Sequence, residues 1–152
     1  MQHAHDIEFQ LINEDASIRR IAAKDLSFTP TPEQIERGLT DESPSVREAW
    51  AQRLDYTPSL AQIERGLTDI HDYVRCAWSG RMDFSPSPEQ VERGLRDEHY
   101  RVRREWAFRP DYTPTVTQIE RGLTDPDASV RQVWAERMDF IPTPEQAERG
   151  LT

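Results

Sequence analysis

The sequence predicts an all-α protein, a right-handed α-solenoid of about five tandem two-helix repeats. The first observation behind this is a period. The stretch QIERGLTD begins at Gln34 and begins again at Gln62 and Gln118, with near-copies at Gln90 and Gln146. Gly38, Gly66, Gly94, Gly122 and Gly150 place the copies 28 residues apart. The second observation is apolar spacing. Val46 and Trp50, Val74 and Trp78, and Val130 and Trp134 recur at i and i+4, as do Ile35 and Leu39, which is one face of a helix. The third is that no stretch alternates apolar and polar residues long enough for a strand. A motif repeated at one spacing is a building unit, whereas a catalytic signature occurs once per site.

Within each unit, Thr31-Pro32-Glu33-Gln34 reads as a helix start. The Thr hydroxyl caps, Pro fits the first helical position, and Gln34 reaches back in a capping box. Ser87 and Thr143 repeat the pattern, while Ser59 and Thr115 keep the cap without the proline. Gly38 and its equivalents are expected to stop this helix. A second helix follows Asp41, Asp69, Asp97 or Asp125. Leu54, Met82 and Met138 extend its apolar face to i+8, and Pro110 is expected to end the third copy's helix early. The copies fall at 31–58, 59–86, 87–114 and 115–142, with a degenerate capping copy over 1–30 and a half copy over 143–152. In the degenerate copy Ala22 stands where the others have Trp, and Gln10 where they have Gly. No single unit of this size folds alone; stacked units share a core.

A Pro-Glu-led short helix, an L-x-D step and then V-R-x-x-x-A resemble the leucine-rich variant repeats, relatives of HEAT-type α-solenoids. Pro32-Glu33, Leu39, Asp41, Val46-Arg47 and Ala51 carry the resemblance. The period here is longer than that family's, and Trp stands where it has an aliphatic residue. The resemblance implies the fold and says little about activity. A cysteine-bound iron–sulfur cluster, carried by some members, does not transfer to a chain whose only cysteine is Cys76.

Composition narrows the function. Net charge is -9, which disfavours a general nucleic-acid binder and suits a partner with a basic surface. No apolar run is long enough to span a membrane and no signal peptide is visible, so the cytoplasm is the default location. The one cysteine excludes a disulfide framework or a multi-cysteine metal site. Eighteen of the nineteen basic residues are arginine. Arg47, Arg75, Arg103 and Arg131 form one ladder, begun by Arg19; Arg53, Arg81, Arg109 and Arg137 form a second; Arg37, Arg65, Arg93, Arg121 and Arg149 form a third. These ladders read as a phosphate track or as bidentate pairs with Glu36, Asp41, Asp55 and their copies; the faithful recurrence of the acids favours pairing. Trp50, Trp78, Trp106 and Trp134 share a face with Val and Leu, which favours core packing over base stacking.

Function is then sought where the copies differ, in the columns of residues 42–45, 48, 49 and 52. There the second copy holds His71 and Tyr73, and the third holds His99, Tyr100, Arg101, Arg104 and Phe108. Tyr and Arg are favoured interface anchors. The third copy carries six acids and six bases, against six and three in the first. The expectation is a non-enzymatic scaffold, adaptor or inhibitor that binds a protein through these positions, with phosphate-backbone binding along the ladders as the alternative. No cofactor or metal is expected. A two-His site from His71 and His99 lacks a third ligand, and no nucleophile–base arrangement or phosphate-binding glycine loop is present.

Overall fold

The structure, a computed structural model, describes residues 2–137, with side chains from residue 6 onward. The half copy at 143–152, Met138 and Arg149 lie outside the described residues. Ten helices and no strand are present among the described residues. They are α1 (Gln2–Leu11), α2 (Ala16–Ala23), α3 (Pro32–Leu39), α4 (Pro44–Ala51), α5 (Leu60–Leu67), α6 (Asp72–Ser79), α7 (Pro88–Leu95), α8 (Tyr100–Phe108), α9 (Val116–Leu123) and α10 (Ala128–Glu136). They fall into two compact units, Met1–Arg81 and Met82–Thr152. In unit 1, α1 packs on α2, α3 on α4 and α5 on α6, while α2, α4 and α6 stack in succession. In unit 2, α7 packs on α8 and α9 on α10, and α8 stacks on α10. Stacked helix pairs are the α-solenoid arrangement.

The capping box closes at α3, α5, α7 and α9. At α5 the Gln62 amide nitrogen donates to Ser59 Oγ at 3.1 Å and the Ser59 amide donates to Gln62 Oε1 at 2.9 Å. Three sequence expectations need correction. The glycines do not stop their helices: α3 runs through Gly38 to Leu39, and Thr40 caps it by donating its hydroxyl to Glu36 O at 2.8 Å. The glycine serves clearance instead. A Cβ on Gly38, Gly66, Gly94 or Gly122 would fall inside the indole of Trp50, Trp78, Trp106 or Trp134 respectively. Those tryptophans are each 2% exposed, so the ring has nowhere to move. Where the capping copy has Ala22 in place of Trp, Gln10 is tolerated in place of Gly.

The second correction concerns Leu54 and Met82. The helices end at Ala51 and Ser79, before either is reached, and Leu54 is 73% exposed. The third concerns Pro110. Helix α8 runs to Phe108 and is one residue longer than α4 or α6. Arg109, the residue before the proline, is already extended at φ -62 and ψ 126, the conformation a following proline requires.

The capping copy over 1–30 also differs in how it grips its neighbours. In unit 1, Gln34 and Arg37 reach back to Glu8, and Arg53 reaches back to the carbonyls of Ala23 and Asp25. The same columns of the capping copy hold Asp6, Phe9 and Asp25. Its forward-reaching residues, Glu8 and Arg19, are retained. Phe9 and Ile21 stand exposed on this copy.

Candidate functional site

The arginine ladders account for most of the recurring letters. Arg19 donates to both carboxylate oxygens of Asp41 at 2.9 Å each, Arg47 to Asp69 at 2.8 and 3.0 Å, and Arg103 to Asp125 at 2.8 and 3.0 Å. Each pair joins one copy to the next. Each guanidinium also caps the turn before its own helix; Arg47 donates to Asp41 O at 2.8 Å. Burial pushes the Asp69 carboxyl up, but the Arg47 hydrogen bond and the His71 amide together hold it below the usual carboxylate range. Arg75 is buried, and Arg131 is exposed with its guanidinium on Asp125 O.

The second ladder lies inside the fold. Arg53, Arg81 and Arg109 are 2–3% exposed. Arg81 donates to Ala51 O at 2.7 Å and Arg53 O at 2.6 Å, and lies over the rings of Tyr56 and Trp78 at 4.9 and 5.1 Å. Arg53 sits likewise over Phe28 and Trp50, Arg109 over Phe84 and Trp106, and Arg137 over Tyr112 and Trp134. Planar guanidinium, aromatic faces and backbone carbonyls satisfy one another here, as only arginine permits. Asp55 pairs with Arg53 two residues away, at 2.6 Å, which holds its carboxyl below the usual range. The expected pairing of the Asp55 column between copies is therefore corrected to a pairing within one copy.

The third ladder is half exposed and also joins copies. Arg65 and Gln62 converge on Glu36, and Arg121 and Gln118 converge on Glu92. The Arg121 guanidinium, helped by Gln118 and opposed by desolvation, lowers the Glu92 carboxyl to about 2. A phosphate track along these columns has little to work with. The second ladder is internal, and the described pairs of the other two bind carboxylates.

The odd letters lie elsewhere. In unit 1, His71 stands at the N-cap position of α6 without a side-chain capping bond, and its ring lies 5.4 Å from that of Tyr73, both half-buried. In unit 2, His99 caps α8: its Nδ1 accepts the Arg101 amide at 3.2 Å, and its ring stacks on Tyr100 at 5.0 Å. The Arg101 and Arg104 guanidiniums each lie 5.9 Å from the Tyr100 ring centroid. Arg101 is exposed, and Phe108, two turns beyond it, is 60% exposed. An open hollow of about 300 Å³ adjoins them, lined by Glu98, His99, Tyr100, Arg103, Pro126 and Asp127.

Two residues were not singled out from the sequence. Arg96 replaces the threonine that closes the other first helices, as Thr124 closes α9 on Glu120 O at 2.9 Å; it points instead toward Glu92 at 3.6 Å. Glu105 occupies the column of Ala49 and Val133, which are 2% and 7% exposed. In those two copies the column is interior rather than part of the variable surface, and burial pushes the Glu105 carboxyl up against the opposing pull of Arg104 and Arg109. The signal was in the sequence: a charge in a column held by isoleucine, alanine or valine in the other copies.

A family described as a HEAT repeat associated with sister chromatid cohesion matches residues 33–49 and 115–133. The repeats are HEAT-like. The two matched stretches of HEAT-like repeat run from α3 into α4 and from the start of α9 into α10, so each spans one helix pair. No curated protein matches the chain. Among the described residues, no helix is long and apolar enough to cross a membrane, and no group of three or more His, Cys, Asp or Glu residues is placed to hold a metal ion. Cys76 is half-buried on α6.

Proposed function

We propose that this HEAT-like repeat protein is a non-enzymatic scaffold, adaptor or inhibitor that binds another protein through the inter-helix positions of its second and third copies. One observation carries the reading. The recurring letters are consumed by capping, core and inter-copy pairing, while Tyr100, Arg101, Arg104 and Phe108 break the repeat pattern together along one side of α8. His71 and Tyr73 are the corresponding odd letters of unit 1. Interface energy concentrates in such Tyr and Arg clusters. The finer resemblance to leucine-rich variant repeats rests on Pro32-Glu33, Leu39, Asp41, Val46-Arg47 and Ala51, and the single cysteine supports cytoplasmic placement. Phosphate-backbone binding is the alternative, and the internal pairing of the arginines speaks against it.

The immobilised chain should retain a protein from a lysate of its source cells. Tyr100→Ala with Arg101→Ala should release that protein. Retention unaffected by the double change would move the site away from α8. For the alternative, duplex DNA binding at about 50 mM salt that weakens in Arg101→Glu would be required.

A further inference from the structure

We infer that the open side of α2 is where two copies of this chain pair, α2 against α2, antiparallel about a two-fold axis. This face lies in unit 1 and is independent of the α8 reading above.

Two columns change their exposure between copies. Val46 and Val74 are each 1% exposed, and Ala49 is 2%. In the same columns the capping copy holds Ile18 and Ile21, which are 39% and 65% exposed. Helix α4 stacks between α2 and α6, and α2 stacks on α4. These columns therefore face the preceding layer, and on α2 that side is open. Phe9 agrees with this direction. Its column holds Arg37 in the next copy, which reaches back to Glu8, and Phe9 is 59% exposed.

A terminal copy ordinarily carries a polar outer face, which keeps the stack soluble. The replacements here run the other way. Phenylalanine stands at position 9 for the arginine of the next copy, and isoleucine stands at position 21 in the column of Ala49 and Ala77. Apolar surface enlarged where the stack leaves it uncovered marks a contact.

A further repeat stacked in register does not fit this face. The next copy offers its predecessor Gln34, Arg37 and Arg53 as donors, and Asp41 as the acceptor of Arg19. The capping copy has Asp6, Phe9, Asp25 and Asn13 in those columns, so all four grips have lost their chemistry. The face is matched to itself instead. Glu14 and Asp15 stand at the start of α2, and Arg20 and Lys24 at its end. Antiparallel pairing lays Ile18 of one copy beside Ile21 of the other, and sets the acidic start of each helix by the basic end of its mate. The two helix dipoles then oppose, which favours the same arrangement. Residues 14–24 carry two acids and three bases in a chain of net charge -9. Two copies therefore repel one another least along this segment.

The test is sedimentation velocity of the full chain from about 1 to about 200 μM. The mass should rise reversibly from 17.7 kDa to twice that value. Ile21→Glu should weaken pairing at least about tenfold, because it buries carboxylates in an apolar contact. Circular dichroism should not change, since the same column already holds Glu105 in the third copy. Ile21→Ala, the residue of Ala49, should weaken pairing by about threefold or more. Leu60→Glu, on α5 of the same unit and 84% exposed in the parent, should leave it unchanged. Glu14→Lys and Lys24→Glu should each weaken pairing, and the two together should restore it. A monomer across the whole range, growth past the dimer, pairing indifferent to Ile21→Glu, or a double reversal no better than either single one would each overturn the proposal. A monomer that sediments with phospholipid vesicles and is released by Ile21→Glu would give the face to a lipid surface instead. Tyr100→Ala with Arg101→Ala should leave pairing untouched, so the α2 and α8 readings fail separately.

Discussion

Replacing Gly66 by alanine tests how these copies are built. In an unconstrained helix interior the change would stabilise by about 1 kcal/mol, because alanine loses less backbone freedom. Here the added methyl would overlap the Trp78 indole, which is 2% exposed and sandwiched with Arg81. Overpacking of this kind costs about 1–3 kcal/mol, occasionally more, and displacing the ring also disturbs the guanidinium above it. The net expectation is destabilisation of about 2 kcal/mol, read as a lower urea midpoint by circular dichroism. Trp78→Ala alone should cost about 3–5 kcal/mol. In the Trp78→Ala background, however, Gly66→Ala should turn neutral or stabilising, so the double-mutant cycle should give a coupling of about 2–3 kcal/mol. The capping copy already carries that combination in spirit, with Gln10 and Ala22. A helix-stop role for the glycine would make the cost independent of Trp78. A coupling near zero would therefore refute the clearance argument.

Arg81→Met leaves the Ala51 and Arg53 carbonyls without their donor and should destabilise unit 1 by about 3–5 kcal/mol; Arg81→Lys should recover little, since an ammonium lacks the planar fork. Glu92, lowered from 4.5 to about 2 by Arg121, contributes stability that is present above its unfolded value and lost as pH falls through about 2. Urea midpoints measured from about pH 6 down to about pH 2 should fall less steeply for Glu92→Gln than for the parent. Glu105 has the opposite sign. Its raised folded value means the penalty grows as pH rises through that value, so Glu105→Ala should stabilise at neutral pH by about 1 kcal/mol and lose this advantage below about pH 4.

The period and the capping boxes were legible because they are local. Thr31 and Gln34 lie three residues apart, and their chemistry names their geometry. The burial of the tryptophans follows from their sharing a helix face with valine. The partner of each arginine was less accessible. Arg47 bonds Asp69, twenty-two residues on, and Asp41, closer in sequence, receives Arg19 instead; only the stacking of copies settles which acid is reached. A buried arginine is also spelled like a solvated one. Arg53 and Arg101 differ in surroundings, and those come from the neighbouring copy. The glycine was misread because a helix-ending glycine and a clearance glycine occupy nearly the same place, near the last turn. What separated them in the sequence was the simultaneous change at Gln10 and Ala22. Leu54 continued an i+4 rhythm past the point where the helix had ended.

The polarity of the inter-copy grips limits how such a chain can lengthen. Within unit 1, Gln34, Arg37 and Arg53 hook backward onto the preceding copy, and the capping copy has traded those hooks for Asp6, Phe9 and Asp25. A duplicated interior segment of 28 residues would arrive with its own couplings and clip into line. The same segment spliced ahead of α1 would meet Asp6, Phe9 and Asp25 where an interior copy offers its hooks. Growth by gene duplication is thus favoured in the middle of the stack, where every added copy meets a matching neighbour.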